Sequence, residues 1–442
     1  MGVEQSSLAR NPLSFAGAAL TTISALAFFV FYVSHALGWW VSPYAGLVGF
    51  VAIPPFFLLG LLLIPLGMWR EARRRRRGAP AWRWPAVDLA HKRTRQVVIA
   101  VFVLTIVNLG IVSIASLGAA HYMETTEFCG QVCHVPMRPE FTAHREGPHA
   151  NVTCVSCHVS PGAAGTIRAK QNGTRQLYLV LRGTFARPIP TPARGLPIAA
   201  DTCARCHRPA LPVPDITRVT REYDDDEAST ETATTLVVYP NRNHWHARAD
   251  VRVEYIASDD KRETIPYIRA TDPGGRVTEY LAPGVTARPG GPVRQMDCLD
   301  CHSRPAHTMS ASAEEAVDRA IAAGDISREL PFVRRELVAA LTATYADDAA
   351  AAAGIADRLT NFYAGQKKAT PALVTGVANA GQRLYRTNVF QDMKITWGTY
   401  RNQRGHSDEV PGCFRCHDDE HKAPDGRLVR QDCALCHKEP EG

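Results

Sequence analysis

The chain has 442 residues, and all twelve of its cysteines fall into pairs followed at once by a histidine. Five pairs read Cys-x-x-Cys-His: Cys154/Cys157/His158, Cys203/Cys206/His207, Cys298/Cys301/His302, Cys413/Cys416/His417 and Cys433/Cys436/His437. The sixth, Cys129/Cys133/His134, holds one residue more between its cysteines. On a helical turn, positions i, i+3 and i+4 share a face. Two thiols can then reach the vinyl groups along one porphyrin edge while the next imidazole turns under the ring to iron, which is the attachment signature of c-type haem. A disulfide framework would use twelve cysteines too, but nothing in it would place histidine after every second one. Zinc ribbons need two pairs per ion and no adjacent histidine. Six matches with no cysteine left over select six covalent haem c groups, with the six motif histidines as iron ligands.

Low-spin haem iron takes two axial ligands. Beyond residue 120, eight histidines lie outside the motifs: His121, His144, His149, His244, His246, His307, His406 and His421. Of these, His149, His307, His406 and His421 sit close to motifs in sequence and are expected as distal ligands. His244-Trp-His246 falls in a region read as sheet, where alternation lets only one of the two face a given haem; His246 is the expected one. At the first motif the extra residue turns His134 about 100° further round a helix. Either the loop bulges or this iron takes another ligand, for which Met137 is the candidate; the alternative is that Met137 packs on the porphyrin.

Thioether attachment requires an exported polypeptide, and the first 119 residues are organised accordingly. Apolar runs near 14–38, 43–69 and 96–119 each meet the roughly 20 residues that a helix needs to cross a bilayer. The first run is too long for a signal-peptide core, and a second follows directly. Pro54 and Pro55 are expected to kink the second helix, and Trp39 and Trp40 to sit at an interface. The segment 70–95 carries Arg70, Arg73–Arg77, Arg83, Lys92, Arg93 and Arg95, which marks it as cytoplasmic. The N-terminus is then inside, and residue 120 onward, with every motif, outside. Topology accounts for the basic run, and with it much of the net charge of +7, so no nucleic-acid partner is expected.

The expected fold is a multihaem cytochrome c, mainly α with little regular structure around the haems, a small β insert and an N-terminal three-helix transmembrane anchor. Residues 1–119 form the anchor, with the basic loop 70–95 cytoplasmic. Three motifs crowd into 120–208, too little chain for an ordinary core, so the porphyrins must supply the buried apolar surface. A β-rich insert is expected over 209–296, with strands at Thr235–Tyr239, Val251–Ala257, Thr264–Ala270 and Arg276–Leu281 and a turn at Asp272–Gly275. The fourth haem site occupies 297–310. Residues 311–405 are Ala-rich and helix-periodic, with Ser310 or Ser312 as a cap. Residues 406–442 form a C-terminal dihaem unit.

The run Cys129-Gly-Gln-Val-Cys133-His134-Val-Pro-Met137, then His149 and Cys154–His158, resembles the NapC/NirT family of membrane-anchored quinol dehydrogenases. The continuation is similar to its larger three-helix members, the inner-membrane multihaem cytochromes of metal-reducing bacteria. It carries Arg187-Pro-Ile-Pro-Thr-Pro192, His244-Trp-His246, Asp297–His302 with Arg304-Pro-Ala-His307, and Pro411–His417. The likeness covers roughly residues 96–442. It implies oxidation of menaquinol or ubiquinol at the periplasmic face beside the first haem, a methionine on the first iron, and a lysine near the quinol. Lys170 matches that lysine, with Arg168 and Arg175 nearby. The acidic partner that the family places after it is missing, since no Asp or Glu occurs between Glu146 and Asp201; Gln176, His144, Glu140 or a haem propionate are the substitutes. His35, inside the first apolar run, is a further candidate by its position.

These readings converge on a quinol dehydrogenase of the inner membrane that oxidises quinol where the third helix meets the first haem. Electrons would leave through the C-terminal dihaem unit to a periplasmic c-type cytochrome or reductase, in anaerobic or extracellular respiration. Two rivals remain at this point: a terminal reductase with one open haem site, and a passive conduit subunit without a quinol site.

Overall fold

The computed structural model describes residues 8–9, 11–36, 53–78, 90–191, 197–208, 211–406 and 410–439. It divides into two compact units, Met1–Met123 and Glu124–Gly442.

The first unit is built of three helices, α1 (Pro12–Ala36), α2 (Ile53–Arg76) and α3 (Lys92–Tyr122). Each is long and apolar enough to cross a membrane. Large apolar side chains such as Leu62, Phe102 and Leu117 point outward, as hydrocarbon requires. Small residues bring α1 and α2 together: a Cβ on Gly17 would come 2.7 Å from the Gly60 carbonyl oxygen, and Ser14 Oγ donates to the Ile64 carbonyl at 2.9 Å. Two expectations need correction. Pro54 and Pro55 lie in the first turn of α2, where proline is tolerated, so they do not kink it; Pro65 is the proline of its interior. Arg70 and Arg73–Arg76 extend α2 as helix rather than standing in a loop. Trp39, Trp40, Arg83 and the side chain of His35 lie outside the described residues.

The second unit begins with a π-helical turn, Phe128–Val132, followed by α4 (His134–Arg145), α5 (Cys154–His158), α6 (Gly162–Leu181) and α7 (Ala199–Cys203). Two sheets follow. The hairpin β1 (Ile216–Tyr223) and β2 (Glu231–Val238) pairs antiparallel, and β7 (His437–Lys438) adds to the β2 edge. The second sheet has the order β5-β4-β3-β6, from β3 (Arg252–Ile256), β4 (Tyr267–Thr271), β5 (Val277–Leu281) and β6 (Arg294–Gln295). Strand β1 escaped the sequence because Ile-Thr-Arg-Val-Thr-Arg-Glu-Tyr carries only three large apolar residues and is exposed along nearly its whole length.

After the short helix α8 (Cys298–Cys301), four helices make the apolar core: α9 (Ala313–Ala322), α10 (Val333–Leu341), α11 (Asp348–Tyr363) and α12 (Pro371–Asn388). Leu330, Val333, Leu337, Ile355 and Leu359 are fully buried among them. Ser312 caps α9 by accepting from the Glu315 amide at 3.1 Å, Asp347 caps α11, and Thr370 caps α12. This bundle holds the larger hydrophobic core of the unit, and all six attachment motifs lie outside it.

Candidate functional site

Four of the six motifs are shaped by a local device. At the first, the extra residue between Cys129 and Cys133 is taken up by the π-turn, whose i→i+5 bonding spans one residue more than an α-turn. The turn is packed against Phe141 of α4 so closely that a methyl group on Gly130 would land inside the ring. The loop therefore bulges, one of the two outcomes the spacing allowed. Met137 is half-buried on α4, one turn beyond Cys133, to whose carbonyl its amide donates at 3.0 Å; the side chain of His134 lies outside the described residues. At the fourth motif Asp297 and Asp300 form a capping box around the turn. At the fifth, Gly412 takes φ +51° while Cys413 N donates to Gly405 O at 2.8 Å. At the sixth, β7 holds His437 against Val238, and Arg242 Nη1 donates to the Ala434 carbonyl at 2.9 Å.

All twelve cysteines are free of disulfides. Successive motifs lie side by side. Cys129 reaches Cys154 within hydrogen-bonding range, and Cys203 reaches Cys298 likewise. Cys157 lies near Cys206, Cys301 near Cys413, and Cys413 near Cys436. The six motifs thus follow one another in space in their sequence order. Before attachment, the hydrogen bond between Cys129 and Cys154 lowers the Cys154 thiol and raises that of Cys129. Burial raises the Cys301 and Cys416 thiols to about 12.

Histidines face the motif histidines in pairs. Ring centroids stand 6.1 Å apart for His158 and His307, 6.0 Å for His207 and His149, and 6.1 Å for His302 and His244. They stand 6.0 Å apart for His417 and His246 and 6.2 Å for His437 and His406. A metal held by two imidazole nitrogens at about 2 Å each sets their centroids about 6 Å apart, so all five pairs could hold an iron between them. The second nitrogen of several rings is fixed elsewhere, as metal-binding imidazoles need. Nδ1–H of His307 donates to Glu140 O at 2.9 Å, of His149 to Pro305 O at 3.1 Å, and of His417 to Arg430 O at 2.9 Å. Burial also lowers the pKa of His158, His246, His302 and His307, favouring the neutral form that binds metal. The donor set fits haem c at these positions.

Two distal expectations change. His421, 3% exposed, commits both ring nitrogens to protein oxygens: Nδ1 to the Asp418 carboxylate at 2.7 Å and Nε2 to the Ile265 carbonyl at 2.6 Å. Among the described residues it faces no motif histidine, whereas His244 faces His302. The alternation argument failed because His244–Ala247 is a 3-10 turn, not a strand; both histidines of the pair face motifs. His144 is buried with Nε2–H donating to Val152 O at 2.9 Å, and its ring lies 6.0 Å from His307.

The residues expected at a quinol site share α6, which is exposed along most of its length. Lys170 comes close enough to Cys129 for its charge to favour the thiolate. Arg175 and Gln176, five and six residues on, lie on other faces of the helix. Glu140 is buried and held by Arg304 at 2.8 and 3.2 Å, while the Arg304 guanidinium covers the Tyr400 ring at 3.7 Å.

The family description "NapC/NirT cytochrome c family, N-terminal region" matches residues 91–191. The chain is 35% identical to the cytochrome c-type protein ImcH of Geobacter sulfurreducens, over 97% of its own length and 87% of that protein's. No solved structure matches. A relative this similar over nearly the whole chain, together with three apolar helices and the attachment motifs, makes the protein a membrane-anchored, electron-transporting cytochrome with covalent haem c, and it belongs to the NapC/NirT cytochrome c family.

Proposed function

We propose that this chain holds six haems and oxidises menaquinol or ubiquinol at the periplasmic face of the bacterial inner membrane. The cysteine pairs at 129/133, 154/157, 203/206, 298/301, 413/416 and 433/436 attach the haems. His158/His307, His207/His149, His302/His244, His417/His246 and His437/His406 are the axial pairs of positions two to six, and His134 or Met137 serves position one, the methionine being what the family resemblance implies. The observation that carries the reading is the set of five facing imidazole pairs along an ordered line of motifs. In domain terms, 1–119 anchors the chain, 120–208 is the NapC/NirT-like trihaem region, 209–310 adds a β-rich insert and a fourth site, and 406–442 is the dihaem exit.

When bound, haem c supplies a one-electron donor and acceptor at each position. The residues do the rest. Lys170 places an ammonium beside the first attachment loop, where it can orient a quinol oxygen and favour loss of its proton. Glu140 and His144 are buried and engaged with Arg304 and Val152, so the two quinol protons pass to water rather than to them. The carbonyls of Glu140, Pro305 and Arg430 fix ring orientation at three positions. The basic segment Arg70–Arg77 keeps the N-terminal side cytoplasmic. The receiving partner is a periplasmic c-type cytochrome or reductase, in anaerobic or extracellular respiration.

A reductase with an open iron is disfavoured at the five positions with facing imidazoles. The test mixes purified protein with a menaquinol analogue of sufficient driving force and follows haem absorbance, alongside intact-mass measurement. Reduction at every haem and a mass carrying six additions are expected. Haems that stay oxidised would remove the dehydrogenase reading and leave a conduit.

A further inference from the structure

The residue before the second cysteine differs among the motifs: Val132, Ser156, Arg205, Asp300, Arg415 and Leu435. It is arginine in the third and fifth. Both arginines do the same thing. Arg205 Nη1 donates to the carbonyl of Ser156 at 3.4 Å, and Arg415 Nη2 donates to the carbonyl of Asp300 at 2.5 Å. Ser156 and Asp300 occupy that same place in the second and fourth motifs. Each arginine therefore ties its own attachment loop to the one before it, at matching positions.

The fourth-to-fifth contact is the more developed. Arg415 is 9% exposed, with Nε donating to Gly412 O at 2.7 Å and Nη1 to Arg262 O at 2.9 Å. Its fork thus holds three segments at once, which a lysine ammonium on a flexible stem does not reproduce. The side chain of Asp300 closes the ring: its carboxylate accepts from Arg262 Nη1 at 2.7 Å, from Tyr255 Oη at 2.5 Å and from the Asp297 amide at 2.8 Å. Arg262, in the connection between β3 and β4, takes part through both its carbonyl and its guanidinium. None of these groups faces solvent freely, and none belongs to the axial or thioether set.

We propose that Arg205 and Arg415 are positioning residues that fix the separation of haem positions two and three and of four and five, and so set the rate of electron transfer across those two steps. At steps one to two and three to four the cysteines themselves meet, Cys129 with Cys154 and Cys203 with Cys298. The inference rests on the electron-transfer reading above, but not on quinol as the donor.

The test uses the full chain in detergent with Arg415→Lys and Arg205→Lys, reduced by dithionite so that no quinol step enters. Haem number is read by intact mass, coupling between neighbouring ferric irons by electron spin resonance, and internal transfer by rapid mixing. Arg415→Lys is expected to keep six haems, to weaken the coupling between positions four and five, and to slow transfer there roughly tenfold or more, the scale at which outer partners of metal sites act. Arg205→Lys should act at two and three, and less strongly, since its bond is single and longer. Six haems with unchanged coupling and kinetics in both variants overturn the proposal. Should Arg415→Lys lose haem, Arg205→Lys decides alone, because its contact is independent of the fourth and fifth motifs. Six haems with slowed transfer between two and three then support the clamp, and wild-type coupling and transfer there overturn it. Fewer than six haems in the unsubstituted chain would instead sink the reading beneath it.

Discussion

His244 and His246 stand two residues apart on one 3-10 turn, yet they face two different motifs. His244 lies against His302 at 6.1 Å with the rings 17° from parallel, and His246 lies against His417 at 6.0 Å with the rings at 87°. Between them, Trp245 packs against the β3–β4 cluster of Val251, Val253 and Tyr255. One turn, anchored by one indole, therefore sets two neighbouring positions.

Replacing either histidine by alanine should open one iron each. The electron spin resonance spectrum is expected to gain one high-spin signal per variant and two in the double variant, with six haems retained by mass. His421→Ala should leave the spectrum unchanged and instead destabilise the fold by about 1–3 kcal/mol, because it strands the Ile265 carbonyl and a half-buried carboxylate at Asp418. A new high-spin signal in His421→Ala would reverse this assignment.

The π-turn at the first motif gives a steric prediction. A Cβ on Gly130 would overlap the Phe141 ring, so Gly130→Ala forces the turn or the ring to move, at about 1–3 kcal/mol for overpacking. Because the strain falls between Cys129 and Cys133, intact mass should show a fraction of chains lacking one haem. Adding Phe141→Ala removes the overlapping ring, and full haem content should return. Persistent loss in the double variant would mean that Gly130 matters for its backbone rather than for the space.

How far the sequence spoke depends on what each feature rests on. Covalent attachment is local, so six Cys/His turns could be read directly, and apolar length alone marked the three anchor helices. Distal ligands depend on long-range placement: His149 meets His207, and His307 meets His158 from 149 residues away. Proximity in sequence pointed to His149, His307 and His406, which face motif histidines, and to His421, which is tied to Asp418 and Ile265 instead; alternation pointed to His246 and passed over His244. The π-turn was legible as a one-residue excess but not in kind, because Phe128–Val132 follows no hydrophobic period. The arginines of the third and fifth motifs were silent, since arginine between two cysteines reads as surface until its partner carbonyl is known.

Glu140 and Arg304 form an ion pair in which each side chain is about nine-tenths buried, with the guanidinium stacked on Tyr400. Removing one partner leaves a buried charge unmatched. Glu140→Ala and Arg304→Ala are each expected to destabilise by about 3–5 kcal/mol. The double variant should cost clearly less than their sum, since it strands neither charge. Denaturant midpoints in detergent measure all three, and simple additivity would show that the pair is not coupled.

Lys170 is a basic residue of α6 whose charge reaches the first attachment loop at Cys129. Its ammonium is therefore the group placed to hold a quinol oxygen, while Arg175 and Gln176 lie on other faces of the same helix. Lys170→Ala should raise KM for a quinol analogue by roughly tenfold to a hundredfold, the scale of one lost charged hydrogen bond. Reduction by dithionite, which needs no binding site, should be unchanged. Arg175→Ala and Gln176→Ala should show smaller effects, and Lys170→Arg should recover part of the loss because it restores the charge without the same geometry. If Lys170→Ala oxidises quinol at the original rate and KM, the donor site lies elsewhere on the haem-bearing unit.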